Sequence, residues 1–219
     1  MEDCKINYDY TVRNASGSII QFLYGEDGMD ASKLESQKLI YIEKDFTELK
    51  KAYLLTREDN LKYYLDDSTL KEFNSIKDWE EKFEQHFKQL LQDREYIIKK
   101  IFNNKKETSL LYPIGFLRLI NSAKAIFKDK GMSDLNPMDV LNTIENIDDL
   151  YVSKMNKGNS LLKMLLRCYL SPKLVVMKYR FNRATFEYII QQIKVKFFDA
   201  IAHPSEMVGV IAAQSIGEP

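Results

Sequence analysis

Residues 75–101 read SIKDWEEKFEQHFKQLLQDREYIIKKI, and this stretch decides the fold class. Large apolar residues recur every three or four positions, and Lys, Glu, Gln and Asp occupy the positions between them. The apolar positions are Ile76, Trp79, Phe83, Phe87, Leu90, Ile97 and Ile101. We predict a long amphipathic helix that begins near Ser75, with Asp78 at the spacing of a capping box. Such a stripe is typical of a packed core rather than of a cofactor site.

The same helical period continues through the C-terminal half. A helix is predicted between Pro113 and Gly131. Proline is tolerated in the first turn of a helix, and glycine is common where a helix ends. Asn136 and Pro137 predict the N-cap and first position of a short helix, and residues 158–160 (GNS) separate it from the next. The apolar positions that define these helices are Leu117, Ile120 and Phe127; Val140, Leu141 and Ile144; Leu161 to Leu170; Leu174 to Met177 after Ser171-Pro172; and Phe186, Ile189, Ile190, Ile193, Phe197 and Ile201.

The first forty residues show a different pattern. Residues 11–13 (TVR) and 18–24 (SIIQFLY) are rich in β-branched and aromatic side chains, and they flank the turn formers of residues 14–17 (NASG). This order predicts a β-hairpin, which residues 25–28 (GEDG) would end. Residues 38–42 (KLIYI) predict another short strand. The fold class is therefore mainly α with a small β element.

Composition excludes several classes of protein. Lys plus Arg and Asp plus Glu both number 32 in 219 residues, so a general nucleic-acid binder with a basic excess is not expected. The two cysteines, Cys4 and Cys168, are too few for a structural zinc site or a disulfide scaffold. No basic start with an apolar stretch suggests a signal peptide, and no apolar run approaches the roughly 20 residues that span a bilayer. We expect a soluble intracellular chain.

The candidate catalytic and metal-binding residues form no complete set. Glu26, Asp27 and Asp30 cluster near a glycine, but their spacing fits no calcium loop, so a solvated turn is favoured. His86 and His203 lack a nucleophile partner at a recognisable spacing, and structural roles are favoured for both. The chain has neither a phosphate-binding loop of the P-loop type nor a Rossmann glycine pattern. We expect no catalytic residue and no metal site in this chain.

One segment carries an excess of positive charge. Between residues 171 and 203 the bases outnumber the acids Glu187 and Asp199, and aromatic residues lie among them. The bases are Lys173, Lys178, Arg180, Arg183, Lys194 and Lys196, and the aromatic residues are Tyr179, Phe181 and Phe186. An ordinary helix surface is the favoured interpretation of this pattern. The alternative is a patch that docks a phosphate group or an acidic partner.

Both ends of the chain resemble one protein family. The tail, residues 203–219, reads HPSEMVGVIAAQSIGEP, and residues 8–30 contain TVRN, IQF and YGEDGMD in that order. These strings resemble the largest subunit of eukaryotic-type multisubunit DNA-directed RNA polymerases. The front resembles the segment that follows the bridge helix, and the tail resembles the stretch that enters the trigger loop. Between them, residues 43–202 look like the helical foot domain, although residues 31–75 carry no specific motif.

The resemblance implies three segments and a supporting role. Residues 1–42 would be a cleft segment with the hairpin, residues 43–202 the foot, and residues 203–219 a helix that leads to the trigger loop. The stem of that loop would consist of Gln214, Ser215, Gly217, Glu218 and Pro219. A mobile loop of this kind needs a rigid base, because catalysis depends on positioning. The magnesium-binding NADFDGD motif of the family is absent, so the nucleotidyltransferase activity and the magnesium and zinc of the parent enzyme would lie outside this segment.

The resemblance also implies partners. They would be the rest of the largest subunit, other polymerase subunits and capping or regulatory factors, with DNA and RNA reached only through the parent assembly and no membrane contact. The alternative is a stand-alone, polymerase-derived interaction protein that regulates transcription. Frequent Lys, Asn, Tyr and Ile favour an AT-rich source, which we take to be a large cytoplasmic DNA virus such as an asfarvirus or poxvirus. The location would be a virus factory or virion, or the nucleus if the source is cellular.

Overall fold

The computed structural model describes residues 2–103, 108–128, 131–155 and 160–217, with the side chains of residues 148–155 and 160 left aside. Its helices are α1 Phe46–Tyr53, α2 Asp67–Ser75, α3 Trp79–Tyr96, α4 Phe116–Phe127, α5 Pro137–Met155, α6 Ser160–Tyr169, α7 Arg183–Asp199 and α8 Val208–Gly217. Its strands are β1 Lys5–Ile6, β2 Val12–Arg13, β3 Ile19–Gln21, β4 Glu35–Lys38 and β5 Ser109–Tyr112. The prediction of a mainly α fold with a small β element is confirmed.

The chain divides into two compact units. The sheet unit comprises Met1–Ser36, Leu111–Ile114 and Gln192–Pro219, and the helical unit comprises Gln37–Leu110 and Gly115–Gln191. The predicted boundaries at residues 42 and 202 refer to segments of a larger protein and remain a prediction. No helix among the described residues has both the length and the apolar character needed to cross a membrane.

The sheet unit is organised around three short antiparallel strands in the order β1-β2-β3. The predicted hairpin is β2 and β3, and Asn14 closes its turn by accepting a hydrogen bond from the Ser18 backbone N–H at 2.9 Å. β1 was not predicted. It pairs with β2, and its Ile6 N–H also donates to the carbonyl of distant Glu206 at 3.0 Å. A small core joins these strands to the start of α8, and its buried members are Ile6, Val12, Ala202 and Val208.

The helical unit contains the predicted stripe as its core. Trp79, Phe83, Phe87, Leu90 and Ile97 are all buried, as expected for the inner face of α3. The helix begins at Trp79 rather than near Ser75, and Asp78 makes no side-chain capping bond, so the capping-box prediction is wrong.

The reason for the later start of α3 is tertiary. The ring of Phe73 on α2 packs against Trp79 with centroids 4.9 Å apart, and this contact requires a break between α2 and α3. Beyond Tyr96 the chain continues as a π-helical segment, Ile97–Ile101. Two residues of the predicted stripe are not buried: Ile101 is exposed, and Ile76, before α3, is half-buried.

Two predictions about the middle of the chain are also wrong. Pro113 does not open a helix, because it lies between β5 and α4, and Gly115 is the residue that precedes α4. α4 ends at Phe127, and the left-handed φ of 51° at the next residue, Lys128, stops the helix before Gly131. Of the three predicted apolar positions of α4, Ile120 is buried as expected, whereas Leu117 and Phe127 are exposed. The buried residues are Phe116, Leu119, Ile120 and Ala123.

The C-terminal helices follow the sequence more closely. The Asn136 side chain caps α5 by accepting a hydrogen bond from the Met138 N–H at 3.0 Å, which confirms the predicted N-cap, although α5 is longer than expected. Gly158 and Asn159 lie outside the described residues, and α6 begins at Ser160. The inner face of α7 is buried as predicted: Phe186, Ile189, Ile190, Ile193 and Phe197. Ile201 lies beyond the helix and is half-buried.

Residues 38–42 do not form the predicted strand. β4 ends at Lys38, and Ile40–Ile42 form a 3₁₀ turn in which the Ile42 N–H donates to the Leu39 carbonyl at 3.2 Å. Leu39 and Tyr41 are both buried, so the turn satisfies the same alternation of buried and exposed residues that suggested a strand. Residues 174–177 belong to a second π-helical segment, Leu174–Tyr179, between α6 and α7.

Candidate docking surface

The six bases of the predicted patch have different surroundings. Lys173 is half-buried, and its ammonium group donates to the Asp59 carboxylate and to the Leu54 carbonyl, both at 2.8 Å. Arg183 forms an exposed ion pair with Asp139 at 2.7 Å. These two charges are already neutralised by the chain's own carboxylates, so they contribute less to any external partner than the sequence suggested.

Lys178 and Arg180 are exposed at the junction between the π-helical segment Leu174–Tyr179 and α7. Arg180 has a left-handed φ of 56°, and its guanidinium lies 5.1 Å from the centroid of the Tyr64 ring. The Lys178 ammonium lies 5.9 Å from the centroid of Tyr179, a half-buried aromatic residue. Cations over aromatic faces are held electrostatically while they stay accessible to solvent.

Lys124 is a further cation at this place, and sequence reasoning missed it. Its ammonium group lies 4.6 Å from the centroid of the same Tyr179 ring. Partial burial lowers the pKa of Lys124, and the charge of Lys178 lowers it further. Burial also raises the pKa of the Tyr179 hydroxyl to about 12, so the ring stays neutral near pH 7. No local sequence signal links α4 to residue 179, because the contact depends on how the helices pack.

A buried serine fixes the backbone beside these cations. The Ser133 hydroxyl donates to the Phe181 carbonyl at 2.6 Å, and the Ser133 N–H donates to the Tyr64 carbonyl at 2.7 Å. The Asp134 carboxylate accepts a hydrogen bond from the Arg183 N–H at 2.8 Å. Ser133 thus connects the segment that carries Arg180 to Tyr64, the residue whose ring the Arg180 guanidinium contacts. The structure presents these charges on a fixed backbone.

Lys194 and Lys196 lie on the part of α7 that belongs to the sheet unit, and both are half-buried. The described geometry therefore brings Lys124 and Lys178 together on Tyr179, with Arg180 next in sequence. Lys173 does not belong to this group, because its ammonium group pairs with Asp59.

The predicted stem residues lie on the exposed end of α8. Gln214, Ser215 and Gly217 are exposed, and the Ser215 hydroxyl donates to the Ile211 carbonyl at 2.9 Å within the helix. Glu218 and Pro219 lie outside the described residues. The start of α8 is anchored, because Val208 and Gly209 are buried and the Gly209 N–H donates to the Cys4 carbonyl at 3.0 Å. Apolar side chains farther along remain exposed, with Ile216 72% accessible.

The other candidate residues have structural surroundings. The Asp27 carboxylate accepts the Met29 N–H at 2.9 Å, and Asp30 accepts both the N–H and the hydroxyl of Ser32, so these acids cap turns. His86 is buried, and its pKa is lowered to about 4, chiefly by burial and then by the Arg167 charge. His203 is exposed.

Metal ligands and disulfides are not found in the part of the chain that the structure describes. Within these ranges no three His, Cys, Asp or Glu side chains lie close enough together to hold a metal ion. Cys4 and Cys168 are both free thiols.

Comparison with known proteins places this architecture in a family. Residues 29–200 match the family described as RNA polymerase Rpb1, domain 6, and the chain belongs to this family. It is thus a segment homologous to the foot region of the largest subunit of DNA-directed RNA polymerases.

Two curated relatives were found in Trypanosoma brucei brucei. The chain is 28% identical over 249 aligned residues to the DNA-directed RNA polymerase II subunits RPB1-A and RPB1-B, and the alignment covers 100% of this chain. It spans 14% of the length of each relative. Because these relatives come from a cellular organism, they give no support to the predicted viral source.

Proposed function

We propose that this chain is a supporting and docking segment of the largest subunit of a DNA-directed RNA polymerase, and that it carries no catalytic centre of its own. The observation that supports this most strongly is the family match over residues 29–200. The relatives are RNA polymerase II subunits by name, and this chain corresponds to a small part of their length. Its activity would therefore be that of the parent assembly.

The proposed supporting role belongs to α8. Its first residues are fixed in the core of the sheet unit, while Val210 and Ile211 are partly exposed and Ile216 is largely exposed. Exposed apolar surface of this kind is typical of an interaction site. We infer that the rest of the subunit packs on α8, which then forms the rigid base of the trigger loop. Gln214, Ser215 and Gly217 would lie in that base and act by positioning.

The proposed docking role belongs to the helical unit. Lys124 and Lys178 lie near the Tyr179 ring, and Ser133 fixes the backbone next to this ring at Phe181, as a binding surface requires. Partners would be polymerase subunits or transcription and capping factors. Replacing Lys178 and Arg180 with Glu should weaken the capture of at least one such partner by the assembled polymerase. Retention of every partner at its normal level would contradict the docking role.

The supporting role is tested by an exposed apolar position. In the isolated chain Ile216→Asp should change the free energy of unfolding by no more than about 0.5 kcal/mol, because Ile216 is exposed there. In the assembled polymerase the same substitution should slow nucleotide addition roughly tenfold or more, because a displaced base misplaces the loop. Met132→Asp is the matched control, since Met132 is 53% exposed on the helical unit. Equal elongation rates for the two variants would contradict the role of α8.

A further inference from the structure

Two lysine ammonium groups lie close to one aromatic ring, that of Tyr179, in the helical unit. Lys124 comes from α4 and Lys178 from the π-helical segment Leu174–Tyr179. Their ammonium groups lie 4.6 and 5.9 Å, respectively, from the Tyr179 ring centroid. Within the described ranges no carboxylate forms an ion pair with either lysine. Like charges held together repel, and the lowered pKa of Lys124 reflects this in part. A bound anion would remove the repulsion.

The chemistry of the pair favours a phosphoryl group over a carboxylate. A phosphomonoester carries nearly two negative charges at neutral pH and three acceptor oxygens, so one such group can neutralise both lysines. A single carboxylate neutralises only one of them. Lysine binds phosphate as a compact point charge with three donors. The neutral Tyr179 ring beside the two lysines adds no competing negative charge near pH 7.

The small extent of the free charge favours a protein over a nucleic acid. Nearby Lys173 and Arg183 are neutralised by Asp59 and Asp139, so these two bases add little to the positive charge around Tyr179. A nucleic-acid strand would require basic residues spread along a groove or face. The chain as a whole has no basic excess, with 32 residues of each sign.

We propose that Lys124 and Lys178 form a docking point for a phosphorylated serine or threonine in a flexible segment of a partner protein. This inference rests on the proposed docking function, for which it names the chemistry of the partner. Tyr179 positions the two ammonium groups, and the phosphoryl oxygens accept hydrogen bonds from both of them. Binding therefore depends on phosphorylation of the partner.

The test uses the full 219-residue chain and a fluorescein-labelled glycine- and serine-rich peptide with a single phosphoserine. Fluorescence anisotropy measures its affinity for the wild-type chain and for the double variant Lys124→Gln/Lys178→Gln. We expect the double variant to bind roughly tenfold more weakly, because two exposed charge contacts are lost. The double variant Lys124→Arg/Lys178→Arg keeps the charge and should restore most of the affinity.

A matched control removes two charges elsewhere. Lys82→Gln/Lys88→Gln changes two exposed lysines of α3, so it lowers the net charge equally while leaving Tyr179 untouched. We expect this control to bind the phosphopeptide as the wild type does. If it lost as much affinity as the Lys124/Lys178 variant, binding would be a response to overall charge and the proposal would be overturned.

Three further results would also overturn the proposal: no binding of the phosphopeptide, equal binding of its unphosphorylated twin, or tighter binding of a single-stranded RNA oligonucleotide. Each would leave the proposed function standing, because that function is judged by elongation and partner retention in the assembled polymerase. Conversely, if the Ile216→Asp test contradicted the supporting role of α8, the binding of the phosphopeptide to the helical unit would be unaffected.

Discussion

The buried ion pair between α3 and α6 gives the sharpest prediction for stability. Arg167 donates to the Asp93 carboxylate at 2.5 Å, and the side chains are only 12% and 4% exposed, respectively. Gln89 gives Asp93 a second hydrogen bond at 3.1 Å. Arg167→Met keeps much of the apolar stem and removes the guanidinium, which leaves the carboxylate with Gln89 as its remaining partner among those described. Breaking a buried pair on one side costs about 3–5 kcal/mol, so we expect a loss of that order.

The assay uses the single tryptophan of the chain. Trp79 is buried in the helical unit, so its fluorescence during urea denaturation reports the unfolding of that unit. The urea concentration at the midpoint of unfolding should fall, while the slope of the unfolding free energy against urea concentration should stay the same. The control is Arg183→Met, which breaks an exposed pair with Asp139 and should cost no more than about 1 kcal/mol.

A double-mutant cycle makes the same prediction more specific. Asp93→Asn removes the charge from the other side, and the double variant Asp93→Asn/Arg167→Met should lose less stability than the sum of the two single losses. We expect a coupling free energy of about 2 kcal/mol, within the range for residues in direct contact. Additive losses, or a loss below about 1 kcal/mol for Arg167→Met, would refute the argument that this pair holds α3 to α6.

Three other predictions concern single residues. Ser133→Ala should cost about 1–3 kcal/mol in urea denaturation, since it leaves the buried Phe181 carbonyl without its donor; a loss equal to that of an exposed serine substitution would contradict this. Asn136→Ala should cost about 1 kcal/mol by removing the N-cap of α5, and Asn136→Asp should retain most of the stability; equal losses would exclude a capping role. His86 is neutral when folded, with its pKa lowered from 6.5 to about 4, so the unfolded state binds the proton more readily between these values. Stability should therefore fall by up to about 3 kcal/mol as the pH drops from 6.5 to 4, and His86→Leu should be less acid-sensitive by that amount; identical pH profiles would contradict the assignment.

Much of the helical unit could be predicted from local sequence patterns. The apolar stripe of α3 and the inner face of α7 depend only on the helical period, and the N-cap of α5 depends on two adjacent residues. The hairpin of β2 and β3 was predictable for the same reason, because its turn residues lie between its strands.

The failures have a common physical cause, which is contact between residues far apart in sequence. The break between α2 and α3 follows from the packing of Phe73 on Trp79. The backbone of β1, which pairs with β2, also bonds to residues 205 and 206. Likewise, Lys124 joins Lys178 through the packing of α4 near residue 179, which no motif at either position encodes. The basic pattern alone also could not distinguish Lys173, neutralised by Asp59, from cations that remain free.

The central claim is that this chain functions as part of a much larger polymerase subunit. The most direct measurement is the mass of the native polypeptide in extracts of its source, detected with an antibody raised against the helical unit, together with assays of RNA synthesis in the immunoprecipitate. The account predicts a polypeptide several times heavier than 25.7 kDa that brings RNA polymerase activity with it. A free polypeptide of about that mass, precipitating without polymerase activity, would contradict it.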